Sequence, residues 1–295
     1  MLKALFCSTC IFLLTGFSAS RLYASDYFSN ACRIYTEGRY FEASIEFERA
    51  IFYETDSSLL ARNKYYKSLC YKSLAEYDKA LTELKTINLK TLPDTLWLMI
   101  SYEEALCSYL DEDIDEAMRY IEEIKLRSSG SLNNPGIIQL NIICLNSRQE
   151  WDKAMTLWYR YIDSFQVDDS AKYIFKKEIA NIYAKENLPR LYSASKAKLF
   201  SSIIPGSGQI YCGAISEGMF NLLINASLLG YTVWEFYSQY YFTGYFIGLR
   251  FFKKFYTGGI NRANNLAVIK NKMEITEFNS ESSSLMLRIN VTDSQ

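Results

Sequence analysis

The 295-residue chain contains no histidine. That removes the commonest general base, the commonest metal ligand and every serine–histidine or cysteine–histidine nucleophile pair. A surplus of positive charge is missing too. Thirty-two Lys and Arg against 33 Asp and Glu leave a net charge of −1, without the basic face that phosphates demand, so nucleic acid is not an expected partner. Only four prolines and 13 glycines are present, and nine of those glycines fall between residues 206 and 259. The Gly-rich stretch is followed by no Gly-Lys-Ser/Thr, which excludes a P-loop. With no visible nucleophile–base pair, no cofactor motif and no convergent metal ligands, the expectation is a protein that is not an enzyme.

What is present begins with an apolar leader. Lys3 precedes ALFCSTCIFLLTGF, and small residues follow at Ser18–Ser20 and again at Ala24–Ser25. Residues 1–24 therefore read as a signal peptide, cut after Ser20 or Ala24. An uncleaved anchor is the alternative, because a single basic residue precedes the apolar core.

From residue 25 the apolar pattern is helical and recurs. Tyr40, Ala43, Phe47 and Ala50 follow steps of three, four and three, which place them on one helix face. The same steps return in Tyr77, Ala80, Leu84 and Ile87, in Ile114, Ala117, Ile121 and Ile124, and in Trp151, Ala154, Trp158 and Tyr161. The alanines stand at 43, 80, 117 and 154, a period of 37 without slippage. A second helical stretch precedes each quartet, with small Ala31, Ser68 and Ala105 where two helices approach; Ile142 breaks that series. Cys70, Cys107 and Cys144 share the period too. Neighbouring helices lie about 8–10 Å apart, wider than the roughly 4.4–6.8 Å of most bridged Cα pairs, so these cysteines read as small buried hydrophobes.

In DYFSNACRIYTEGRYFEASIEFERA, with Gly38 at the inter-helix turn, the chain resembles the tetratricopeptide repeat family, whose usual period is about 34 residues. Pro93 and Pro135 fall in the linkers. A fifth first-helix follows as AKYIFKKEIANIYAKE, after which Pro189 interrupts its partner. The expectation is an all-α fold, a tetratricopeptide-like helical-hairpin solenoid over residues 25–198. The resemblance implies a concave face that grips a protein partner. Carried over by position, that face includes Tyr35, Tyr65, Lys72, Tyr102, Tyr109, Gln139 and Asn146. Packing between units is the competing role for several of these tyrosines.

Composition changes at residue 199. Residues 199–249 hold only two charges, Glu217 and Glu235. GMFNLLINASLLGYTVWEFY is long enough to span a bilayer as a helix, with Glu217, Asn221, Asn225, Thr232 and Glu235 on one stripe that must face protein or water. YYFTGYFIGLRFFKKFY is its expected partner. Gly244 and Gly248 allow close backbone approach, and 12 aromatics crowd residues 234–256. Arg250, Lys253 and Lys254 can reach headgroups along their stems. A soluble apolar hairpin packed on the repeats is the alternative.

Between the repeats and this hairpin sits SSIIPGSGQIYCG. Pro205 is expected to end a helix and Gly206 and Gly208 to turn the chain. With Gln209, Tyr211 and Gly213 the segment is expected at a membrane surface, its backbone polar groups toward headgroups or water; a backbone nest for an anion is a lesser alternative. Here the chain resembles bacterial two-transmembrane-helix modules with a proline-glycine-x-glycine-glutamine-x-tyrosine motif. Those modules carry a second motif after the hairpin, matched by Phe255, Tyr256, Thr257, Gly258 and Gly259, although Cys212 replaces an expected polar residue. The resemblance covers residues 199–272. It implies a membrane helical hairpin of the bacterial cell envelope, touching membrane lipid, and no known biochemical activity. Residues 273–295 form a polar, serine-rich tail with the composition of a disordered segment and a candidate strand in SLMLRINVT.

A cleaved signal followed by a hairpin places the repeats on the extracytoplasmic, periplasmic side. Arg190, Lys196, Lys198, Arg250, Lys253 and Lys254 then lie outside as well, against the positive-inside tendency. The functional expectation is a non-enzymatic, membrane-attached scaffold that binds a protein partner. The alternative is a membrane module handling a lipid or an ion through Glu217 and Glu235, with the repeats as regulator.

Overall fold

Each quartet of bulky, alanine, bulky and apolar residues makes a helix with one hole in its buried face, which a preceding helix fills. A computed structural model of the chain describes residues 23–127, 134–164 and 168–293, the last four as backbone only. Among these residues the fold is all helical, with no strand. The proposed signal peptide lies almost wholly outside them. Its last two positions, Tyr23 and Ala24, already belong to the first helix, and Ala24 is buried.

Four helix pairs make the N-terminal unit, Met1–Ser164. They are α1 (23–36) with α2 (Tyr40–Tyr53), α3 (Ser57–Ser73) with α4 (Tyr77–Lys85), α5 (Asp94–Leu110) with α6 (Ile114–Arg127), and α7 (Pro135–Ser147) with α8 (Trp151–Asp163). Ala43, Ala80, Ala117 and Ala154 are all fully buried, as are Ala31, Ser68 and Ala105 on the first helices. Ile142, which breaks the small-residue series, is buried as well. Cys70, Cys107 and Cys144 are free and buried, and desolvation pushes each thiol up to about 12. Asp56 caps α3 by accepting from the Ser58 and Leu59 amides, and Asn134 with Pro135 does the same for α7.

The turns within the pairs repeat as faithfully as the alanines. Gly38, Ala75, Glu112 and Gln149 stand 37 residues apart, and all have left-handed φ, from 59° to 78°. In each turn the following amide reaches back five residues, as in Glu76 N–H to the Tyr71 carbonyl at 2.9 Å and Glu150 N–H to the Leu145 carbonyl at 2.9 Å. This double bond of the Schellman type satisfies the last helical carbonyls and forces the left-handed residue. Only Gly38 adopts that conformation without a Cβ penalty. Ala75→Gly and Gln149→Gly should therefore each raise stability by about 0.5–1 kcal/mol, the relief of left-handed strain outweighing the added freedom of the unfolded chain. Denaturant midpoints of the single and double variants check this: the two gains should add, and a loss at either site contradicts the strain argument.

The C-terminal unit is Phe165–Gln295, so the boundary lies some 34 residues before the expected position at 198. The fifth helix, α9 (Asp169–Ile182), belongs here because its partners are here. Tyr183 packs edge-on against Phe278 at 5.3 Å, and Arg288 donates to Glu178 at 2.7 Å. The chain then runs irregularly past Pro189 into α10 (Ala194–Ile203), the short α11 (Ser207–Tyr211) and α12 (Ile215–Tyr237). After a turn at 238–240 it returns as α13 (Tyr241–Thr243), a π-helical turn (Gly244–Leu249) and the 44-residue α14 (Arg250–Asp293).

Two expectations are corrected here. Among the described residues no helix is long and apolar enough to cross a membrane, which overturns the two spanning helices. α12 has the length, at 23 residues, but its two glutamates, two asparagines and its serine, threonine and glycine positions dilute the apolar content. The tail is neither strand nor separate segment, because α14 continues through it. Phe278, Ser282, Leu285 and Ile289 follow helical spacing and are buried; the serines around them obscured that stripe.

Candidate functional site

On the N-terminal unit the first helices bring Tyr35, Tyr65, Lys72 and Tyr102 into one neighbourhood. Tyr65 sits at its centre, close to Tyr35, Tyr66, Tyr102 and Glu103. Burial, reinforced by the Glu103 carboxylate, holds the Tyr65 and Tyr102 phenols above their ordinary range. Glu103 was not apparent from the sequence. Its carboxylate accepts from Lys72 Nζ at 2.6 Å and is 9% exposed against 25% for the lysine, so the pair is largely removed from water. The Tyr35 hydroxyl lies 3.3 Å from that of Ser73. Tyr109 and Gln139 are half-buried further along. Asn146 and Tyr65 are buried outright, at 0% and 7% exposure, and so serve packing rather than an open surface. Asn146 closes the last helix turn of α7, where its carbonyl takes the Gln149 amide. The face that remains is a row of half-buried tyrosines around one shielded ion pair. It offers aromatic surface and hydrogen-bonding hydroxyls.

The glycine-rich segment occupies an interior position instead of a surface one. Pro205 follows the end of α10, and Gly206 has φ +91°, a left-handed cap that starts α11. A Cβ on Gly206 would lie 2.0 Å from the Gly218 carbonyl oxygen, and one on Gly218 would lie 2.5 Å from that of Gly206. Gly208 is helical, so it is needed for space and not for a turn: its Cβ would meet the Ala197 carbonyl oxygen at 2.0 Å. Gln209 is fully buried and satisfied at both ends, accepting from the Ser201 hydroxyl at 3.0 Å and donating to the Gly259 carbonyl at 3.1 Å. Ser201 in turn accepts the Gly208 amide at 3.0 Å. That amide, and the Ser207 amide on the Ile204 carbonyl, are thereby engaged, which leaves little of the anion nest. Tyr211 accepts from the Ser193 amide at 3.2 Å, and Gly213, at φ +78°, forms another turn of the kind seen in the repeats. Cys212 is buried in an apolar cluster with Ala197, Ala263 and Ala267.

The second motif closes the same knot. Tyr256 donates to the Ser202 carbonyl at 2.7 Å, and Gly259 packs so closely on Asn221 that a Cβ would fall 2.2 Å from its amide nitrogen. Gly258 faces open space and Phe255 is 44% exposed, so neither takes part. Arg262, missed in the sequence, grips Glu217 with two bonds of 2.7 and 3.0 Å, and the guanidinium holds that carboxyl below its usual range. Glu235 accepts from the Thr243 hydroxyl at the far end of α12. Eighteen residues of helix, about 27 Å, separate the two glutamates, so they do not form one site.

The hairpin itself is polar or small inside and apolar outside. Gly218, Asn225 and Thr232 recur every seven residues on the buried side of α12. Gly248 faces Thr232 and Gly244 faces Phe236 across the hairpin: a Cβ added at Gly248 would fall 2.3 Å from the Thr232 hydroxyl, and one at Gly244 would fall 2.9 Å from the Phe236 ring. The G-x-x-x-G pair is thus consumed within the hairpin. Outward point Val233 and Trp234 of α12 and Phe242, Phe246 and Ile247 of the return, all between 44% and 74% exposed. Compared with protein-family models, curated proteins and solved structures, the chain matches none.

Proposed function

We propose that this is a non-enzymatic, membrane-attached scaffold of the bacterial envelope. Its repeats hold a protein partner, and its C-terminal hairpin seats in a lipid layer without spanning it. The observation that carries the reading is the inverted hairpin. A helical hairpin that must stay in water buries its apolar side chains, whereas this one buries glycine, asparagine and threonine and exposes phenylalanine, tryptophan and isoleucine. The repeat architecture and the tyrosine-lined first helices support the scaffold half. Handling of an ion by Glu217 and Glu235 is disfavoured by their separation and by the engagement of each with a neighbour.

Flotation of the full chain with phospholipid vesicles tests the attachment. It should rise with the vesicles, and Val233→Asp with Phe242→Asp should return it to the bottom fraction, because a carboxylate in hydrocarbon costs about 2.5–3.5 kcal/mol per site. A monodisperse chain that stays below the vesicles without detergent would overturn the attachment and favour a hairpin covered by protein.

A further inference from the structure

Charge is distributed very unevenly along this chain. Residues 190–272 hold nine Lys and Arg but only two acidic residues, although the whole chain is slightly acidic. Of those nine, Arg262 is committed to Glu217. Arg250, Lys253 and Lys254 are exposed and form no ion pair among the described residues, and the exposed rings of Phe251 and Phe255 alternate with them. Lys196 and Lys198 on α10 are exposed and equally unpaired. Asn271 holds the Tyr192 backbone by bonds of 2.7 and 2.8 Å, and Tyr256 holds Ser202 at 2.7 Å, so α10 lies antiparallel along α14. Both sets of cations therefore belong to one antiparallel helix pair.

Depth along the hairpin gives this cluster its meaning. From the turn at 238–240, ten residues reach Arg250 and 14 reach Lys254; six of them are π-helical and rise less than an α-helix does, so the distances are at most about 15 and 21 Å. One leaflet is about 15 Å of hydrocarbon followed by roughly 5–7 Å of headgroup. A hairpin immersed turn-first to one leaflet puts these three cations in the headgroup layer, with Phe251 and Phe255 at the same interface. A spanning hairpin would instead leave Arg250 near the bilayer centre.

We infer that Arg250, Lys253 and Lys254 form a collar that binds the phosphate of anionic phospholipid headgroups, with Lys196 and Lys198 adding to the field. The inference rests on the membrane reading above and names the lipid class it selects. Cations near an anionic surface contribute roughly fivefold each to partitioning, and that contribution is screened by salt.

The test is partitioning of the full chain onto vesicles of phosphatidylcholine alone and with a third phosphatidylglycerol, at low and high salt. Binding should be stronger to the anionic vesicles and weaken toward the neutral level in high salt. Arg250→Gln with Lys253→Gln and Lys254→Gln should lose on the order of a hundredfold on anionic vesicles only. Lys79→Gln with Lys90→Gln and Lys153→Gln, an equal loss of charge on the N-terminal unit, should lose nothing. Equal binding to both vesicle types, or an unaffected collar variant, overturns the headgroup site while leaving the membrane attachment standing. Binding to neither brings down the attachment itself. Full competition by millimolar glycerol phosphate would assign the collar to soluble phosphates instead of lipid.

Discussion

Replacing Glu104 with glutamine should flatten the pH dependence of the N-terminal unit and stabilise it above pH 7. Glu104 is 3% exposed, and one of its carboxylate oxygens has no hydrogen-bond partner. Burial first, and then the nearby Glu123, push its pKa from the ordinary 4.5 up to about 7, with Arg119 and Lys85 opposing. Below pH 4.5 the group is protonated whether folded or not. Between there and 7 the folded state keeps a proton that the unfolded chain has released, so stability falls as pH rises and levels off above 7. The loss is about 3 kcal/mol at 1.36 kcal/mol per unit. Glu116 works in a different window. The Arg119 guanidinium holds it at about 2, and its contribution is lost only as pH falls below 4.5. Denaturant midpoints between pH 5 and 8, followed by the tryptophans at 97, 151 and 158 in a Trp234→Phe background, isolate the effect. The wild-type chain should lose stability across that range and the Glu104→Gln chain should not. A parallel decline in both would remove Glu104 as the cause.

Gly206→Ala should unfold the C-terminal unit while leaving the repeats intact. An alanine there carries two costs. The backbone is left-handed, worth about 1–2 kcal/mol, and the added methyl would sit 2.0 Å from the Gly218 carbonyl oxygen and 2.9 Å from its carbon. Backbone cannot give way as a side chain can, so overpacking adds about 1–3 kcal/mol. Gly213→Ala is the matched control. Its φ is similar at +78°, but the nearest obstacle is the Lys270 ammonium at 3.3 Å, the mobile end of a long side chain. The control should show the backbone cost alone. Limited proteolysis and Trp234 fluorescence report the C-terminal unit. Equal losses from the two substitutions would mean that the close approach of Gly206 and Gly218 does not hold the knot together.

Much of the repeat unit was legible because its determinants are local. Helix faces follow from spacing alone, and a period of 37 states that each pair meets the next in the same way, so Ala43, Ala80, Ala117 and Ala154 could be placed before any coordinates. The left-handed turns at 75, 112 and 149 were hidden. Gly38 marked the first, but alanine, glutamate and glutamine announce no turn. Their conformation is imposed by backbone hydrogen bonds from the residue that follows. The inner face was legible as residue types and misread as surface at Tyr65 and Asn146, since exposure depends on how far neighbouring units close over a side chain.

The second unit divides differently. Its composition, its glycines and its two motifs stood out in the sequence and marked a special segment beside an apolar hairpin, though that segment was expected at a surface. The sequence by itself marked Gly206 and Gly208 for a turn and Gly244 and Gly248 for close backbone approach, and it put Glu217 and Asn225 on a stripe that could not face an apolar surround. The need for glycine at 218 and 259 came only from the packing. Tertiary structure alone decided what those residues meet. The partners of Gln209, Glu217, Gly208 and Tyr192 lie at Gly259, Arg262, Ala263 and Asn271, 45 or more residues away along the chain. No periodicity connects them. Contacts of that range are fixed by the path of four helices through one knot, which is why a motif expected at a surface proved to be the core.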